Sequence, residues 1–199
     1  MGQARAAAID LYFLDESGFA PTLPPGYTWA RAGMRAIVPY VAPQGRRVNV
    51  NVIGARAPHG PDPRLAYHAR SGKIDSAAFT EFLWRAVVRL PAAPANLPAG
   101  YRRSRPCVVV MDNYAVHRST VVKDMLPALE AAGVHVFYLP PYSPELNSPI
   151  ESLWRHVKHE DMPVRSYPDA DTLLAAVDQV LADHAALLAQ STTSLCQAA

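Results

Sequence analysis

The sequence predicts an α/β domain, a mixed sheet of five strands flanked by helices. Three observations predict it. The early strand-like segments are joined by short connections, which suits antiparallel pairing. The later ones alternate strand, helix, strand, which suits parallel additions to the same sheet. A chain of 199 residues with 50% hydrophobic composition can bury one sizeable core, so one domain over residues 1–190 is expected.

Taken in order, residues 7–14 predict a buried strand. Residues 19–33 hold Pro21, Pro24, Pro25, Gly26 and Gly33 and predict a loop or irregular hairpin. Residues 35–41 suit a short strand that Pro39 would confine to an edge. In residues 47–54, Val48, Val50 and Val52 alternate with Asn49, Asn51 and Ile53, a strong strand pattern. Residues 64–69 predict a weaker strand. Asp75 then caps a helix on which Ala78, Phe79, Phe82, Leu83, Ala86, Val87 and Leu90 recur at helical spacing, and Pro91 stops it. Residues 91–106 are a proline-rich loop. A strand at 107–111, a helix near 119–131 ending at Gly133 and a strand at 134–139 follow. Pro140-Pro141-Tyr142-Ser143-Pro144 cannot be helical. Helices are expected at 149–160 and 169–188, the latter capped by Asp169 or Asp171 with Leu173, Leu174, Val177, Val180 and Leu181 as its apolar stripe. Residues 191–199 are expected to form a loose tail. This order fits a ribonuclease H-like layer fold, whose sites form at the carboxyl ends of strands.

The bulk numbers exclude several classes. Two cysteines, Cys107 and Cys196, make neither a disulfide framework nor a zinc pattern, so a reducing compartment fits. No stretch reads as a membrane span of roughly 20 apolar residues, and the N-terminus has no signal-like run. A soluble, cytoplasmic chain with no membrane partner is expected. The net charge of +2 is too small to identify a nucleic-acid partner, but basic clusters stand at Arg46-Arg47, at Arg102-Arg103 with Arg105, and at Arg155, His156, Lys158 and His159. Each alone is as well read as a solvated surface.

Three carboxylates stand apart. Asp15 ends the apolar run Ile9-Asp10-Leu11-Tyr12-Phe13-Leu14. Asp112 ends Cys107-Val108-Val109-Val110-Met111. Glu151 opens the amphipathic stretch Glu151–Lys158. Two acids at strand ends and one on a helix suit hard divalent cations held at a cleft, and so a metal-dependent phosphoryl-transfer enzyme acting on DNA. Singly, each has a plainer role: a strand-end Asp more often caps a turn, and a first-turn Glu is favoured by the helix dipole. Glu16 and Glu145 are nearby acids. Glu16 should face the other side of the sheet from Asp15 if the strand continues, and Glu145 sits in a proline-bounded loop whose turn it would stabilise.

Phe13-Leu14-Asp15-Glu16-Ser17-Gly18-Phe19 resembles the first acidic motif of mariner-like DDE transposases of bacterial insertion sequences. Gly26-Tyr27-Thr28-Trp29 with Gly33 resembles the tryptophan turn that follows it. Val110-Met111-Asp112-Asn113-Tyr114-Ala115-Val116-His117 resembles the second motif. Leu139-Pro140-Pro141-Tyr142-Ser143-Pro144-Glu145-Leu146-Asn147, with Pro149-Ile150-Glu151 and Leu153-Trp154, resembles the third. The three blocks stand in the family order over roughly residues 9–185. One residue, Ser148, is extra between Asn147 and Pro149, and the loop is expected to absorb it.

The resemblance implies strand cleavage at element ends and strand transfer to a target, with two Mg²⁺ (or Mn²⁺) ions on Asp15, Asp112 and Glu151. Asp15 would bridge the ions, Asp112 would hold one and Glu151 the other. Asn113 could orient a metal-bound water or close its turn. His117 could contact a phosphate or cap the next helix with Ser119. Trp29 reads as core edge before base stacking, and Trp154 as packing inward from Glu151's helix face. Arg155 and Lys158, with Arg102 and Arg103, are the candidate phosphate contacts. The implied partners are double-stranded DNA (transposon ends and target), a second copy in a homodimer, and helix-turn-helix segments that precede the catalytic domain in the family. This chain is expected to lack those segments; a separate or frameshifted reading frame would supply them. The alternatives are a truncated, non-catalytic relic that binds DNA or transposase partners, and a stand-alone ribonuclease H-like nuclease.

Overall fold

The computed structural model describes residues 2–6, 8–21, 30–35, 37, 49–60, 62–140, 143–163 and 165–196. The tryptophan turn at 26–29, most of the expected strand at 35–41, Arg46-Arg47 and Pro141-Tyr142 lie outside the described residues.

After a short helix α1 (Gly2–Arg5) come β1 (Asp10–Phe19), β2 (Val50–Ala57) and β3 (Arg64–Ser71). Then follow α2 (Ser76–Glu81, widened into a π-helical turn over Phe82–Val87), β4 (Cys107–Met111), α3 (Thr120–Ala131) and β5 (Val134–Tyr138). The chain closes with α4 (Ser148–His156, widened over Val157–Asp161) and α5 (Ala170–Cys196). The five strands lie in the order β3-β2-β1-β4-β5. β1, β2 and β3 pair antiparallel, while β4 and β5 add to β1 in parallel. This is the mixed sheet that the element order predicts.

Alternation along β1 feeds two cores. Tyr12 and Leu14 join Phe79, Leu83, Val122 and Leu129 on the face covered by α2 and α3. Leu11 and Phe13 join Ile150, Trp154, Leu173 and Val177 on the face covered by α4 and α5. Caps start the helices as their sequences require. Asp75 accepts from the Ala78 N–H at 2.9 Å, and Asp169 accepts from the Thr172 N–H at 2.7 Å. The α2 segment ends before Pro91, where Arg89 takes φ 53°.

Three boundaries differ from the sequence reading. β1 begins at Asp10 and runs on to Phe19, so Asp15 lies within a strand rather than at its end. Asp15-Glu16-Ser17-Gly18 carries no apolar signal, but β2 offers it a full antiparallel partner from Val50↔Phe19 to Arg56↔Phe13. β2 correspondingly extends to Ala57. The expected loose tail continues α5 as helix through Cys196, since no Pro or Gly interrupts the chain after Pro168. α5 is also long and apolar enough, by length and composition alone, to cross a membrane, which the sequence reading had not found. Here its Leu173, Val177 and Leu181 are buried in the core on the sheet.

Candidate metal-binding active site

The parallel register sets the first two acids side by side. β1 and β4 pair from Asp10↔Cys107 to Phe13↔Val110. Two residues further along that register Asp15 would stand opposite Asp112. β4 ends at Met111, so the two strands open into a cleft there. This cleft, of about 270 Å³, is lined by Asp15, Glu16, Asn51, Asp112, Tyr114 and His117 among others. Burial, above all, pushes the Asp15 carboxyl from its ordinary 3.8 up to about 7. The Glu16 backbone N–H pulls the other way, and the negative charges of Glu151 and Asp112 add to the rise.

Asp112 is held from behind. It accepts from the Tyr114 backbone N–H at 3.0 Å and lies 2.8 Å from Nδ1 of His117. His117 is fully buried, its ring 4.5 Å from that of Phe79. Its Nε2 faces Glu16 Oε1 at 3.5 Å, a charge contact rather than a well-formed hydrogen bond, since neither buried atom has a sound hydrogen-bond partner. Burial works against protonating this imidazole, but the hydrogen bond to Asp112 and the negative charges of Asp112 and Glu16 outweigh it and push it up to about 9. The hydrogen bond from His117 holds Asp112 below the usual carboxylate range. The structure thus decides against both sequence readings of His117. It neither faces solvent to meet a phosphate nor caps α3, a task that falls to Ser119. It bridges two acids. Glu16 does lie on the sheet face opposite Asp15, as alternation predicts, and reaches the cleft through this bridge. Asn113 donates to the Leu139 carbonyl, so it closes its turn against the end of β5.

Glu151 arrives on α4. The extra residue is absorbed in the helix start: Ser148 opens α4, Pro149 takes the first turn where its missing N–H costs nothing, and Glu151 stays in that turn. Buried Asn147 donates to the Leu14 carbonyl at 3.1 Å, tying the helix start to the residue before Asp15. Arg56 donates to the Pro149 carbonyl at 2.9 Å. Trp154, one turn on from Glu151, is buried over Gly54, the residue paired with Asp15 across β1 and β2. A Cβ on Gly54 would lie 2.6 Å from Trp154 Cη2, so only glycine admits the ring. Trp154 therefore packs inward, as its position beside Glu151 predicts.

Glu151 itself is exposed and stands outside the cleft lining. Its charge reaches both Asp15 and Lys158. Burial lowers the Lys158 pKa, and Asp15 and Glu151 oppose that shift. The ammonium also lies 5.4 Å from the Phe19 ring centre. The three carboxylates are not gathered to within 4.8 Å of one another; among the described residues the group so gathered is His156, Asp161 and His184.

The basic residues divide. Lys158 stands beside the acids and Arg155 is exposed on α4. Arg102 and Arg103 precede β4, at the end of that strand away from Asp112. Arg103 is committed there: it pairs with Asp10 at 2.6 Å and donates to the Val88 carbonyl. Arg105 makes the second contact to Asp10, at 2.9 Å. A guanidinium so engaged is a structural group, which corrects its reading as a phosphate contact. Sequence reasoning missed Gly54 and the Glu16–His117 contact. A lone glycine inside a Val- and Ile-rich strand is a signal of close approach and could have found the first. No local pattern announces the second.

A family model described as DDE superfamily endonuclease matches residues 10–174. The fold is similar to that of a pre-cleavage Mos1 transpososome, with a TM-score of 0.55 and 16% identity over 89% of this chain and 50% of that one. It is similar to the Mos1 mariner paired end complex with Mn, at 0.55 and 15% over 87% and 48%, and with Mg, at 0.55 and 14% over 92% and 51%. At such identities the likeness is one of fold. This chain spans about half the length of those solved chains. No curated protein matches the sequence.

Proposed function

Because the chain belongs to the DDE superfamily endonuclease family, we propose that it is a transposase catalytic domain that cleaves and transfers DNA strands through Asp15, Asp112 and Glu151. The observation that carries this reading is geometric: the β1–β4 register brings Asp15 and Asp112 into one cleft, with Glu151 on α4 near enough for its charge to act on Asp15. Burial, above all, and then those two acids raise the Asp15 carboxyl to about 7, as in a site that favours added positive charge. The donors are all carboxylate oxygens, which favours a hard cation such as Mg²⁺ or Mn²⁺ over softer metals. Two such ions, when bound, would supply positive charge at both the attacking and the leaving oxygen of a phosphodiester. Asp15, flanked by the other two acids, would be the shared ligand, with Asp112 and Glu151 serving one ion each.

The chain's own groups prepare that chemistry. His117 keeps Asp112 ionised and fixes its direction. Asn147, Arg56 and Trp154 hold α4 on the sheet and so set where Glu151 can reach. Lys158 and Arg155 offer positive charge to the DNA backbone on the α4 side, giving salt-sensitive, sequence-independent affinity. The partners in this reading are transposon-end and target DNA in the cytoplasm, a second copy of the chain to hold two ends together, and helix-turn-helix segments for end recognition.

The test is nicking of supercoiled plasmid by purified protein with Mg²⁺ or Mn²⁺, beside Asp112→Asn and Glu151→Gln. Metal-dependent cleavage lost in both variants supports the reading, and metal-dependent cleavage that persists in both refutes it. If the chain alone is silent, the comparison is repeated with a helix-turn-helix chain added, and silence there identifies a truncated relic.

A further inference from the structure

We propose that His156, Asp161 and His184 form a second metal site, separate from the carboxylate cleft, that takes a zinc-class divalent ion and clips the end of α4 to α5. Asp161 Oδ2 lies 2.7 Å from Nε2 of His184 and 3.4 Å from Nε2 of His156. One ligand atom from each residue lies within 4.8 Å of the other two. A tetrahedral ion with bonds of about 2.0–2.1 Å sets its ligand atoms roughly 3.4 Å apart. The His156–Asp161 pair already has that spacing, and the His184–Asp161 pair needs to open by roughly 0.7 Å.

Three further features point to a ligand. The two imidazole rings meet edge to face, at 87° with centres 5.7 Å apart, so neither lies flat over the other's nitrogens. Nδ1 of His156 lies 2.9 Å from Glu160 Oε2. A ring nitrogen that donates to a carboxylate leaves the other nitrogen's lone pair free for a metal, and such carboxylate–histidine pairs are the usual support of bound zinc. The backbone also departs from regular helix here. Over Val157–Asp161 it widens to a π-helical turn, closed by the Met162 N–H donating to the Val157 carbonyl at 2.9 Å. An ordinary α-helix would turn residue 161 well away from residue 156, whereas the wider turn brings Asp161 back over His156. The three side chains remain 46%, 33% and 23% exposed, so an ion can enter from solvent.

The donor set selects the ion. Two imidazole nitrogens and one carboxylate favour Zn²⁺, Co²⁺ or Ni²⁺ over Mg²⁺. Three protein ligands leave a position for water.

The test uses the full, tag-free chain carrying Asp15→Asn and Asp112→Asn, which silences the carboxylate cleft and makes this inference independent of the proposed function. ZnCl₂ is titrated by calorimetry, and CoCl₂ by visible absorption, which reports nitrogen ligation directly. One equivalent of Zn²⁺ should bind, undisturbed by excess Mg²⁺. His184→Gln and His156→Gln should each weaken it at least about tenfold and abolish the Co²⁺ bands. Glu160→Gln, on an exposed side chain, should weaken it by about 10-fold or more while leaving the fold intact. Absence of Zn²⁺ binding overturns the proposal. So does binding that His184→Gln and Glu160→Gln both leave unchanged, for then the cluster is only a surface ion-pair network.

Discussion

Replacing Gly54 with alanine should lift α4 from the sheet and disable the cleft without unfolding the protein. The new Cβ would lie 2.6 and 2.7 Å from Cη2 and Cζ2 of Trp154, with Ile150 Cδ1 at 3.6 Å. Carbon atoms settle at about 3.5–4.0 Å, so the indole must retreat by roughly 1 Å. Trp154 is 3% exposed and packed within the buried cluster beneath α4 and α5, so its ring cannot swing into solvent. Overpacking of this kind costs about 1–3 kcal/mol, against a gain of about 0.5–1 kcal/mol from removing a glycine from a strand interior. The net loss, at most about 2.5 kcal/mol, corresponds to a fall in Tm of up to about 10 °C for a chain of this size. The effect on rate should be larger. Glu151 sits one turn from Trp154, and a displacement of about 1 Å at a catalytic group can cost about 10²-fold. Thermal melts and metal-dependent plasmid nicking on the same preparations measure both. Trp154→Leu should remove the clash, so Gly54→Ala should cost less stability in that background than in the wild type. A Gly54→Ala protein with unchanged Tm and unchanged rate would refute the claim that the Trp154–Gly54 contact sets the position of Glu151.

Four other outcomes are expected. In cation-free protein, the His117 pair stabilises the fold fully below pH 6.5 and is lost as pH rises through about 9. Urea melts should show that decline, and His117→Asn should flatten it; a variant slope equal to that of wild type would count against the bridge. Asp15, raised from 3.8 to about 7, favours the protonated fold, so its contribution falls as pH climbs through that window. Mg²⁺ binding should therefore release about one proton at pH 6 and far less at pH 8, measurable by calorimetry in buffers of different ionisation enthalpy; equal release at both would contradict the assignment. Arg103→Ala removes one of the two guanidinium partners of largely buried Asp10, with Arg105 remaining, and should lower stability by about 1–3 kcal/mol with the nicking rate per folded molecule unchanged. Lys158→Ala should leave Tm nearly unchanged and weaken DNA binding in a salt-dependent way.

Much of the fold was legible because it rests on local rules. The caps Asp75 and Asp169, the apolar run Cys107–Met111 and the stripe Leu173, Val177 and Leu181 each announce their element within a few residues. The missed parts depend on partners distant in sequence. Asp15–Gly18 reads as the end of a strand, yet stays extended because β2 pairs with it along its whole length. Arg103 looks like a free cation until β1 brings Asp10 beside it. His117 reads as a surface group near a turn, and only the approach of Glu16 and Phe79 makes it a buried bridge. The α5 helix outruns its apolar stripe because residues 182–190 are mostly good helix formers, Ala185 and Leu188 still touch the core, and no Pro or Gly breaks the turns that follow. The acids themselves were found from the meeting of three motifs, while their geometry follows from register, which no single segment encodes.

The central claim is that Asp15, Asp112 and Glu151 share divalent cations. A crystal of the chain grown or soaked with Mn²⁺ and measured at the manganese absorption edge tests it most directly. Anomalous density is expected at the cleft within about 2.1–2.3 Å of carboxylate oxygens of Asp15 and Asp112, with α4 carrying Glu151 toward it. Full-occupancy manganese elsewhere with the cleft empty, or density that the Asp15→Asn variant leaves in place, would contradict it.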